Sequence, residues 1–369
     1  MNIHEFLSSP GENARRAGPH DRIVLSSRVR LARNLRGLSF PLWSKKPDRL
    51  KALEILRPAV EALPQLAGAF SETMDLLSTL DKNILVERHL ISREHAAKGA
   101  GSALVVNREE SFCVMINEED HLRMQALRPG LQLRQAWMAI DQMDSELERK
   151  LDYAFSPELG YLTACPTNLG TGIRVSAMLH LPGLVLAEQI NQIITSVNKL
   201  GLAVRGLYGE GTEALGNVFQ VSNQMTLGET ETDIVERLIK VVMQILEHEE
   251  NARAMLLEKR PKMVFNHIGR AYGILANAHS ISSKETMNLL SFLRLGVELE
   301  EFPGLERSLI DELFIITQPF HLQRQFTEKL PAEERDLLRA DMLRERLRHV
   351  SRPQSKSPAG ARGAPEKKN

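Results

Sequence analysis

Thr163-Ala-Cys-Pro-Thr-Asn-Leu-Gly-Thr-Gly172 leads directly into an alternating segment that begins at Arg174. Cys165 precedes a proline, and a residue in that position is biased toward extended backbone. The loop that follows contains three residues that tolerate positive φ, namely Asn168, Gly170 and Gly172. The stretch therefore predicts a thiol at a strand end, a tight loop, and an arginine directed back toward the same space. A plain hairpin loop with a buried cysteine is the alternative.

The segments on either side predict an α+β fold with a mainly antiparallel sheet flanked by helices. Alternation and β-rich composition predict strands at 23–31, 84–90, 102–107, 112–117, 202–205 and 218–222. Helical spacing predicts helices at 47–80, 133–151, 184–200 and 234–258, the last capped by Thr232 and Asp233. Because strands follow one another in hairpin-like succession, the sheet should be antiparallel.

Beyond Pro261 the pattern predicts an all-helical module. Helices are expected at 268–278, 283–295, 305–316 and 331–349. Ser282 and Glu285 have the spacing of a capping box. Residues 351–369 lack large apolar side chains and are rich in Pro, Gly, Ser and Lys, which predicts a disordered tail. We therefore expect a catalytic domain at 1–258, a helical domain at 259–350 and a tail at 351–369.

Composition narrows the class of protein. The 369 residues include 47 basic and 47 acidic side chains, which argues against a protein built to coat nucleic acid, although the tail is basic. Only two cysteines are present, so a disulfide framework or a multi-cysteine zinc site is not expected. Neither a signal peptide nor a membrane-spanning run is apparent, and a cytoplasmic location is expected.

Arginines recur in separate segments of the chain. Arg28 and Arg30 are two apart in an extended segment, which places both guanidinium groups on one face. Further arginines occur at Arg123, Arg174 and Arg205. A guanidinium grips phosphate oxygens in pairs and keeps its charge. Neither a P-loop nor a protein-kinase signature is found, so several converging arginines offer another way to hold a nucleoside triphosphate.

Four blocks resemble, in the same order, the signatures of the phosphagen (guanidino) kinases, the arginine and creatine kinase family. They are Leu25-Ser-Ser-Arg-Val-Arg-Leu-Ala-Arg-Asn34, Ile116-Asn-Glu-Glu-Asp-His-Leu-Arg123, the 163–172 stretch, and Arg205-Gly-Leu-Tyr-Gly-Glu-Gly-Thr-Glu213. The resemblance covers roughly residues 20–255, and both ends of the chain point to the branch of bacterial protein-arginine kinases of McsB type. It implies the guanidino-kinase fold and ATP with Mg²⁺, the metal being held mainly by the phosphates.

The resemblance also implies which residues bind ATP. They are Ser26, Ser27, Arg28, Val29, Arg30, His89, Arg123, Arg174, Val175, Ser176, Ala177, Met178, Arg205, Gly206, Leu207, Tyr208, Gly209 and Glu210. His89 has an alternative interpretation as a structural core histidine.

On the acceptor side the resemblance implies three catalytic residues, Glu119, Glu210 and Cys165. A carboxylate that accepts a hydrogen bond from a guanidinium nitrogen can orient the group and take its proton as an N–P bond forms. From sequence, Glu118 and Glu119 are not distinguished. Neighbouring arginines would favour the thiolate of Cys165, whereas a buried apolar cysteine is the alternative.

Two features point to arginine residues in proteins as the acceptor. Small-molecule guanidino kinases carry a helical domain before the strand that here begins by Ser26, so we expect a more open site. In the helical module, Arg335-Asp-Leu-Leu-Arg-Ala340 is similar to a phosphoarginine-binding allosteric motif of the protein-arginine kinases. That motif comprises Arg335, Asp336, Leu337, Leu338, Arg339 and Ala340. A solvated helix face is the alternative, because residues four apart share a face in any helix.

The leading hypothesis is an ATP-dependent kinase for arginine residues in proteins. Within enzymes, a kinase for a free small guanidine is the alternative, and a non-catalytic phosphoarginine-binding adaptor is a hypothesis of another class. The resemblance further implies a homodimer, an activator protein, and a Clp-type unfoldase or protease as partner in stress responses. Neither a membrane nor a nucleic acid is an expected partner.

Overall fold

The computed structural model describes residues 1–8, 17–206 and 214–354. Its strands, in chain order, are β1 Val24–Arg33, β2 Phe70–Thr73, β3 Ala103–Val106, β4 Phe112–Ile116, β5 Leu122–Pro129, β6 Phe155–Ser156, β7 Gly160–Tyr161, β8 Ile173–His180, β9 Leu202–Gly206 and β10 Val218–Asn223. Eight of them form one sheet in the order β2-β3-β4-β5-β1-β8-β10-β9, and β6 pairs with β7 separately. Every pairing is antiparallel, which confirms the predicted α+β class.

The helices surround this sheet and continue beyond it. Their bounds are α1 Ile3–Ser8, α2 Lys46–Glu61, α3 Thr79–Glu87, α4 Arg93–Ala96, α5 Leu133–Glu148, α6 Pro182–Leu186, α7 Ile190–Lys199, α8 Glu231–Lys259, α9 Pro261–Leu275, α10 Ser283–Glu298, α11 Arg307–Ile316, α12 Pro319–Gln323 and α13 Ala332–Leu347. Within the described residues, none of these helices combines the length and the apolar character needed to cross a bilayer.

Alternation along the strands gives the sheet two different faces. In β1, Val29 and Leu31 are buried, whereas Arg28 and Arg30 are half-buried. Directly opposed residues of an antiparallel pair share a face, so Val29 lies on the same face as its partner Val175 in β8. This apolar face packs against α5 and α8 in the main hydrophobic core. The opposite face is thereby left for polar side chains.

Helices α9 to α13 have a core of their own. Ile268, Leu290, Leu313 and Leu343 are among its buried residues, and Leu256 near the end of α8 belongs to the same cluster. The boundary predicted between 258 and 259 falls close to the junction of α8 and α9. The division into separate domains stays a prediction, and the predicted tail lies outside the described residues from 355 onward.

Polar contacts join the C-terminal helices to the sheet. His180, the last residue of β8, lies with Nε2 2.8 Å from the Ser291 hydroxyl and with Nδ1 3.1 Å from Nη1 of Arg294. Arg294 also donates to the carbonyls of Asp21 and Arg22, at 2.9 Å each. The strand that carries Arg174 is therefore fixed at its far end by α10.

A second junction uses the buried carboxylate of Glu87, the last residue of α3. It accepts hydrogen bonds from the backbone N–H groups of Phe320 and His321, at 2.9 and 3.0 Å, in the first turn of α12. The His321 ring lies 2.7 Å from the same carboxylate through Nδ1. Orphan backbone donors of α12 are thus satisfied by a side chain from the sheet region.

The prediction of a strand at 84–90 was wrong. Residues up to Glu87 belong to α3, whose N-terminus is capped by Ser78, the hydroxyl of which accepts from the Asp81 N–H at 3.1 Å. Ile84 and Leu85 are buried in a helix rather than in a sheet, because a short apolar run fits either periodicity. The prediction of helices at 47–80 was likewise wrong in one part, because Phe70–Thr73 forms the edge strand β2.

Two helix bounds also differ from prediction. The expected helix at 184–200 is broken into α6 and α7, because Glu188 adopts φ of 60° between them. Helix α8 begins one turn earlier than expected, and its cap is the Thr230 hydroxyl, which accepts from the Asp233 N–H at 3.1 Å. The cap predicted at Ser282 is confirmed, since its hydroxyl accepts from the Glu285 N–H at 3.2 Å.

Candidate active site

The polar face of the sheet gathers arginines from four strands. Arg30 of β1 is directly opposite Arg174 of β8, and Arg205 of β9 is opposite Gln220 of β10. With Arg28 and Arg123 they line one cavity of about 290 Å³. Glu119 and Cys165 line the same cavity. The cross-strand register therefore brings together five arginines, one carboxylate and one thiol that are far apart in sequence.

Like charges face one another across this cavity. Arg30 has a pKa well below its usual range, because its guanidinium is removed from water and lies near Arg28, Arg123 and Arg174. Burial and the neighbouring Arg123 lower the pKa of Arg28 to about 10. Nε of Arg30 is buried without a hydrogen-bond partner among the described residues. Cations held together in this way favour an anionic ligand, which would neutralise them and supply the missing acceptor.

Three of the arginines are held in place by polar neighbours. Nη2 of Arg28 donates to Gln220 Oε1 at 2.7 Å. Arg123 donates to both carboxylate oxygens of Glu118, at 2.8 and 2.9 Å. Arg174 donates to the backbone carbonyl of Asn223, and burial followed by Arg205 and Arg123 lowers its pKa. The forks are thus oriented before any ligand binds, which limits the ordering cost of binding.

The two adjacent glutamates occupy different environments. Glu118 is only 1% exposed and accepts hydrogen bonds from Arg123 and from the Ser92 hydroxyl. Burial alone would raise its pKa, but Arg123 and Ser92 outweigh burial and lower it. Glu119 lines the cavity, and its pKa is raised by burial and by the nearby charges of Asp120 and Glu118. Of the pair that sequence left unresolved, Glu119 is the one directed into the cavity.

The Cys165 loop has the predicted backbone at its cysteine and its glycines, but Asn168 lies in a 3₁₀ helix, Pro166–Asn168, rather than at positive φ, and the preceding strand already ends at Tyr161. Cys165 is extended, with φ of −97° and ψ of 124°, and Gly170 and Gly172 have φ of 108° and 67°. A Cβ on Gly172 would lie 2.6 Å from the Ala32 carbonyl oxygen, so the loop can approach β1 only with glycine there. The half-buried thiol lies 3.1 Å from the Thr167 hydroxyl.

The sequence assigned no role to Asn34 and Asp120, which join the loop of Glu119 to the loop of Cys165. The Asp120 carboxylate accepts from Asn34 Nδ2 at 2.6 Å and from the Ala164 N–H at 2.7 Å. Asn34 in turn accepts from the His121 N–H at 2.8 Å through its amide oxygen. The loop of Glu119 and the loop of Cys165 are therefore tied to the end of β1. Both residues stand inside the blocks quoted above, which was the available signal.

Other residues predicted to bind ATP are placed differently. Ser27, Val29, Val175 and Ala177 are buried on the apolar face and contribute no side chain to the cavity. Ser176 lies on the arginine face, where its hydroxyl is 3.5 Å from Arg28 Nε. Ser26 of β1 lies directly opposite Met178 of β8. Gly206 is the last residue of β9. None of these four lines the described cavity.

His89 is half-buried, with φ of 59°, and its carbonyl accepts from Gln125 Nε2 at 3.3 Å. Burial and the neighbouring Arg28 lower the pKa of His89 to about 4. It is therefore a neutral ring close to the arginines but outside the described cavity lining. Leu207, Tyr208, Gly209 and the predicted catalytic Glu210 lie outside the described residues.

Comparison with known proteins gives the family. Residues 54–252 match the model of the ATP:guanido phosphotransferase C-terminal catalytic domain, and residues 261–358 match that of the protein-arginine kinase McsB C-terminal domain. A protein-arginine kinase of Bacillus licheniformis is 45% identical over 351 residues, covering 94% of this chain and 96% of the relative. The chain belongs to the protein-arginine kinase family. A relative of the same name from Desulforamulus reducens is 44% identical over 355 residues, covering 95% of this chain and 99% of the relative.

Solved structures of the wider guanidino kinase family share the fold. A lombricine kinase aligns with a TM-score of 0.57 at 24% identity, over 68% of this chain and 76% of its own. The substrate-free duplicated taurocyamine kinase of Schistosoma mansoni aligns with a TM-score of 0.56 at 27% identity, over 77% of this chain and 41% of its own. The predicted family resemblance is thus confirmed in sequence and in fold.

Proposed function

We propose that this protein transfers the γ-phosphoryl group of ATP to arginine side chains in proteins. The observation that carries the proposal is the single cavity in which five arginines face one carboxylate and one thiol. Phosphoryl transfer asks a protein mainly to position two reactants and to neutralise charge. The relatives named as protein-arginine kinases, which match over nearly the whole chain, support the choice of a protein acceptor.

The arginines suit the donor. Triphosphate oxygens would accept hydrogen bonds from guanidinium groups that repel one another in the free protein. One such donor is Nε of Arg30, which has no partner among the described residues. Bidentate charge-assisted hydrogen bonds are among the stronger ones in proteins. We propose that Mg²⁺ accompanies ATP and is held mainly by the phosphates. No group of three or more His, Cys, Asp or Glu residues in the described ranges could hold a metal ion.

Glu119 and Cys165 suit the acceptor. The substrate guanidinium has a pKa above about 12, so a nitrogen becomes nucleophilic only as its proton is removed. In this proposal Glu119 accepts that proton while the N–P bond forms and the bond between the γ-phosphorus and the β,γ-bridging oxygen breaks, releasing ADP. Cys165 as thiolate, and Glu210 as a second carboxylate, would hold the other guanidinium nitrogens. The roles of all three residues are proposals.

The substrate class can be tested directly. With ATP and Mg²⁺, we expect arginine in a denatured protein to be phosphorylated much faster than free arginine at equal guanidinium concentration. Mass spectrometry under non-acidic conditions locates the product, because a P–N bond is acid-labile. Faster turnover of free arginine would favour a kinase for a small guanidine. Absence of turnover on both, with phosphoarginine peptides still bound, would favour an adaptor.

The pH dependence should report on Glu119. A base acts only when deprotonated, so activity should fall as pH drops through its pKa. Since burial, Asp120 and Glu118 raise that pKa, the acidic limb of kcat/KM should lie above the ordinary range of a glutamate. The measurement is a pH profile of kcat/KM on one peptide substrate. A limb at the ordinary glutamate value would argue for a base in a different environment.

The motif at 335–340 is proposed as a phosphoarginine-binding site that tunes activity. Arg335 is half-buried and donates to the Leu330 carbonyl at 2.7 Å, so its guanidinium remains near the surface. Arg339 is 1% exposed, and it donates to the carbonyls of Thr317 and Ile281 at 2.8 Å each and also to Asp336. Of the two arginines predicted to bind the phosphate, we therefore propose Arg335, with Asp336 beside it. Leu337 and Leu338 are at least partly exposed, whereas Ala340 is buried.

These two arginines should respond differently to substitution. Arg339→Ala should lower the free energy of unfolding by roughly 2 kcal/mol or more, because two carbonyls and a carboxylate lose their donor. Arg335→Ala should change it by under about 0.5 kcal/mol but weaken binding of free phosphoarginine. Urea unfolding and calorimetry measure the two effects. Equal stability losses, or unchanged phosphoarginine binding in Arg335→Ala, would contradict this division.

We further propose that the protein acts in the cytoplasm as a homodimer through its C-terminal helices. An activator protein and a Clp-type unfoldase or protease would be its partners, with phosphoarginine marking clients in stress responses. The family resemblance and the match of residues 261–358 support this setting. Light scattering of the full chain tests the dimer, and pull-down with a Clp-type unfoldase tests the partner.

A further inference from the structure

A second cavity lies against the back of the Cys165 loop. Its volume is about 450 Å³, and its walls come from residues 155–161, from Gly170 and Thr171, and from residues 226–233. It shares no described lining residue with the arginine-lined cavity. We call it the acidic groove, because every charged side chain in its described lining is a carboxylate.

The floor of the acidic groove is apolar and open to solvent. Phe155, Leu159 and Leu227 are 47%, 43% and 47% exposed, although most large apolar side chains of the sheet region are buried. The Phe155 ring packs edge-on against Tyr161, with ring centroids 5.2 Å apart. Exposed large apolar side chains gathered in one groove are typical of binding surfaces.

The charged side chains that line the groove all carry the same sign. They are the carboxylates of Glu158, Glu229, Glu231 and Asp233, and the described lining contains neither lysine nor arginine. Some of this charge is already offset, since Glu229 pairs with Arg237 at 2.5 Å and Glu231 lies 3.7 Å from Nη2 of Arg33. The groove still differs in charge from the arginine-lined cavity, where five arginines outnumber one carboxylate.

The groove wall also contains a guanidinium–aromatic contact. The guanidinium carbon of Arg33 lies 3.6 Å from the centroid of the Tyr161 ring. Arg33 itself is buried and paired with Asp144 at 2.5 Å, so it belongs to the scaffold. The exposed Phe155 ring beside Tyr161 offers a similar surface to a cation from another molecule.

The groove is joined to the loop that carries Cys165. Tyr161 N–H donates to the Gly170 carbonyl at 2.8 Å, and the Thr226 hydroxyl donates to the Leu169 carbonyl at 2.6 Å. A Cβ on Gly170 would lie 2.9 Å from Cα of Leu227, so the loop and the groove wall touch. The groove therefore adjoins the loop that carries the thiol.

We infer that the acidic groove binds the polypeptide segment flanking the acceptor arginine and selects segments with apolar and cationic side chains. This inference rests on the proposed function, and it names the class of protein substrate. Apolar side chains of the segment would cover Phe155, Leu159 and Leu227, while lysine or arginine side chains would meet the carboxylates at the rim. Such segments are exposed in unfolded chains more than in folded ones, because apolar side chains are buried on folding.

The test uses the full chain and three synthetic substrates. One is a short synthetic peptide with a single arginine flanked by leucine, phenylalanine and lysine. The second has glutamate in place of each lysine, and the third is N-acetylarginine amide, which has no flanks. The variant is Phe155→Ala with Glu158→Lys. The matched control is Leu76→Ala with Glu54→Lys, two exposed residues that line neither cavity.

For the wild type and the control we expect the basic peptide to have a kcat/KM at least about 10-fold above that of the acidic peptide, a difference of roughly 1.4 kcal/mol. The groove variant should lose most of this preference through KM, with N-acetylarginine amide unchanged. An equal fall for all three substrates, or an unchanged preference, would overturn the inference.

Binding measured without nucleotide separates this inference from the proposed function. The anisotropy of a fluorescein-labelled basic peptide should report binding to the wild type and the control, and weaker binding to the groove variant. That result would support peptide binding in the groove even if no phosphoarginine formed. The absence of phosphoarginine would contradict only the proposed function. Equal peptide affinity in the wild type and the groove variant would refute the groove while leaving phosphoryl transfer intact.

Discussion

Glu119→Gln is expected to lower turnover by about 10²–10⁴-fold while leaving nucleotide affinity close to that of the wild type. Glutamine keeps the size and the hydrogen-bonding capacity of the side chain but cannot accept the guanidinium proton. Glu119 is half-buried at the cavity and forms no ion pair with another described residue, so the variant should also fold normally. Steady-state turnover on a peptide, together with calorimetric ATP binding, measures both effects.

Two neighbouring carboxylates serve as comparisons. Glu94 is exposed on α4 and contributes to the raised pKa of Glu119, so Glu94→Gln controls for the loss of one negative charge nearby. It should retain nearly full turnover. Glu118→Gln should instead weaken ATP binding, because Arg123 loses its charged partner. Wild-type turnover in Glu119→Gln would assign the base to Glu118 or to another residue.

Arg30→Met is expected to weaken ATP binding by about 100-fold or more, since charge-assisted hydrogen bonds contribute roughly 1.5–3 kcal/mol each. The same change should stabilise the nucleotide-free protein by roughly 1 kcal/mol, because a desolvated cation is replaced by an apolar side chain of similar length. Arg30 lies directly opposite Arg174, and its Nε has no acceptor in the described structure. Thermal unfolding with and without ATP measures both signs at once.

Arg205→Met is the matched control for the stability effect. Arg205 lines the same cavity but is exposed and stands opposite Gln220 rather than another arginine. Its removal should weaken ATP binding with little change in the stability of the nucleotide-free protein. If Arg30→Met destabilised the free protein, burial of the Arg30 charge would not be a cost in the nucleotide-free state. If ATP raised the melting temperature of the variant as much as that of the wild type, Arg30 would not contact the nucleotide.

Most of the fold could be predicted because hairpin signals and periodicity are local. The β3–β4 hairpin, α5 and the capped start of α10 were read from adjacent residues. The segment at 84–90 could not be read in this way, since Ile84 and Leu85 satisfy a strand or a helix pattern equally. The helix is favoured by the Ser78 cap at its start and by the contacts of Glu87 at its end. The partners of Glu87 are more than two hundred residues away in sequence.

In the candidate site too, local features could be predicted from the sequence and long-range contacts could not. Period two placed Arg28 and Arg30 on one face, and Cys-Pro with its glycines predicted an extended thiol before a tight loop. Sequence could not separate Glu118 from Glu119, because the difference depends on Arg123, across the β4–β5 turn, and on Ser92, which precedes α4. Nor could it foresee that Arg339 is buried, since its acceptors are the carbonyls of Thr317 and Ile281, 22 and 58 positions away.

The buried carboxylate of Glu87 has a consequence for the design of truncated fragments of this protein. A recombinant fragment ending before Pro319 would remove both N–H donors and the imidazole that surround that carboxylate. The same truncation, extended to exclude α10, would strip His180 and the carbonyls of Asp21 and Arg22 of their partners. Each orphaned group would carry its own desolvation penalty. We therefore expect the sheet and the C-terminal helices to depend on each other for stability, so that inactivity of a truncated protein would not by itself demonstrate the loss of a regulator.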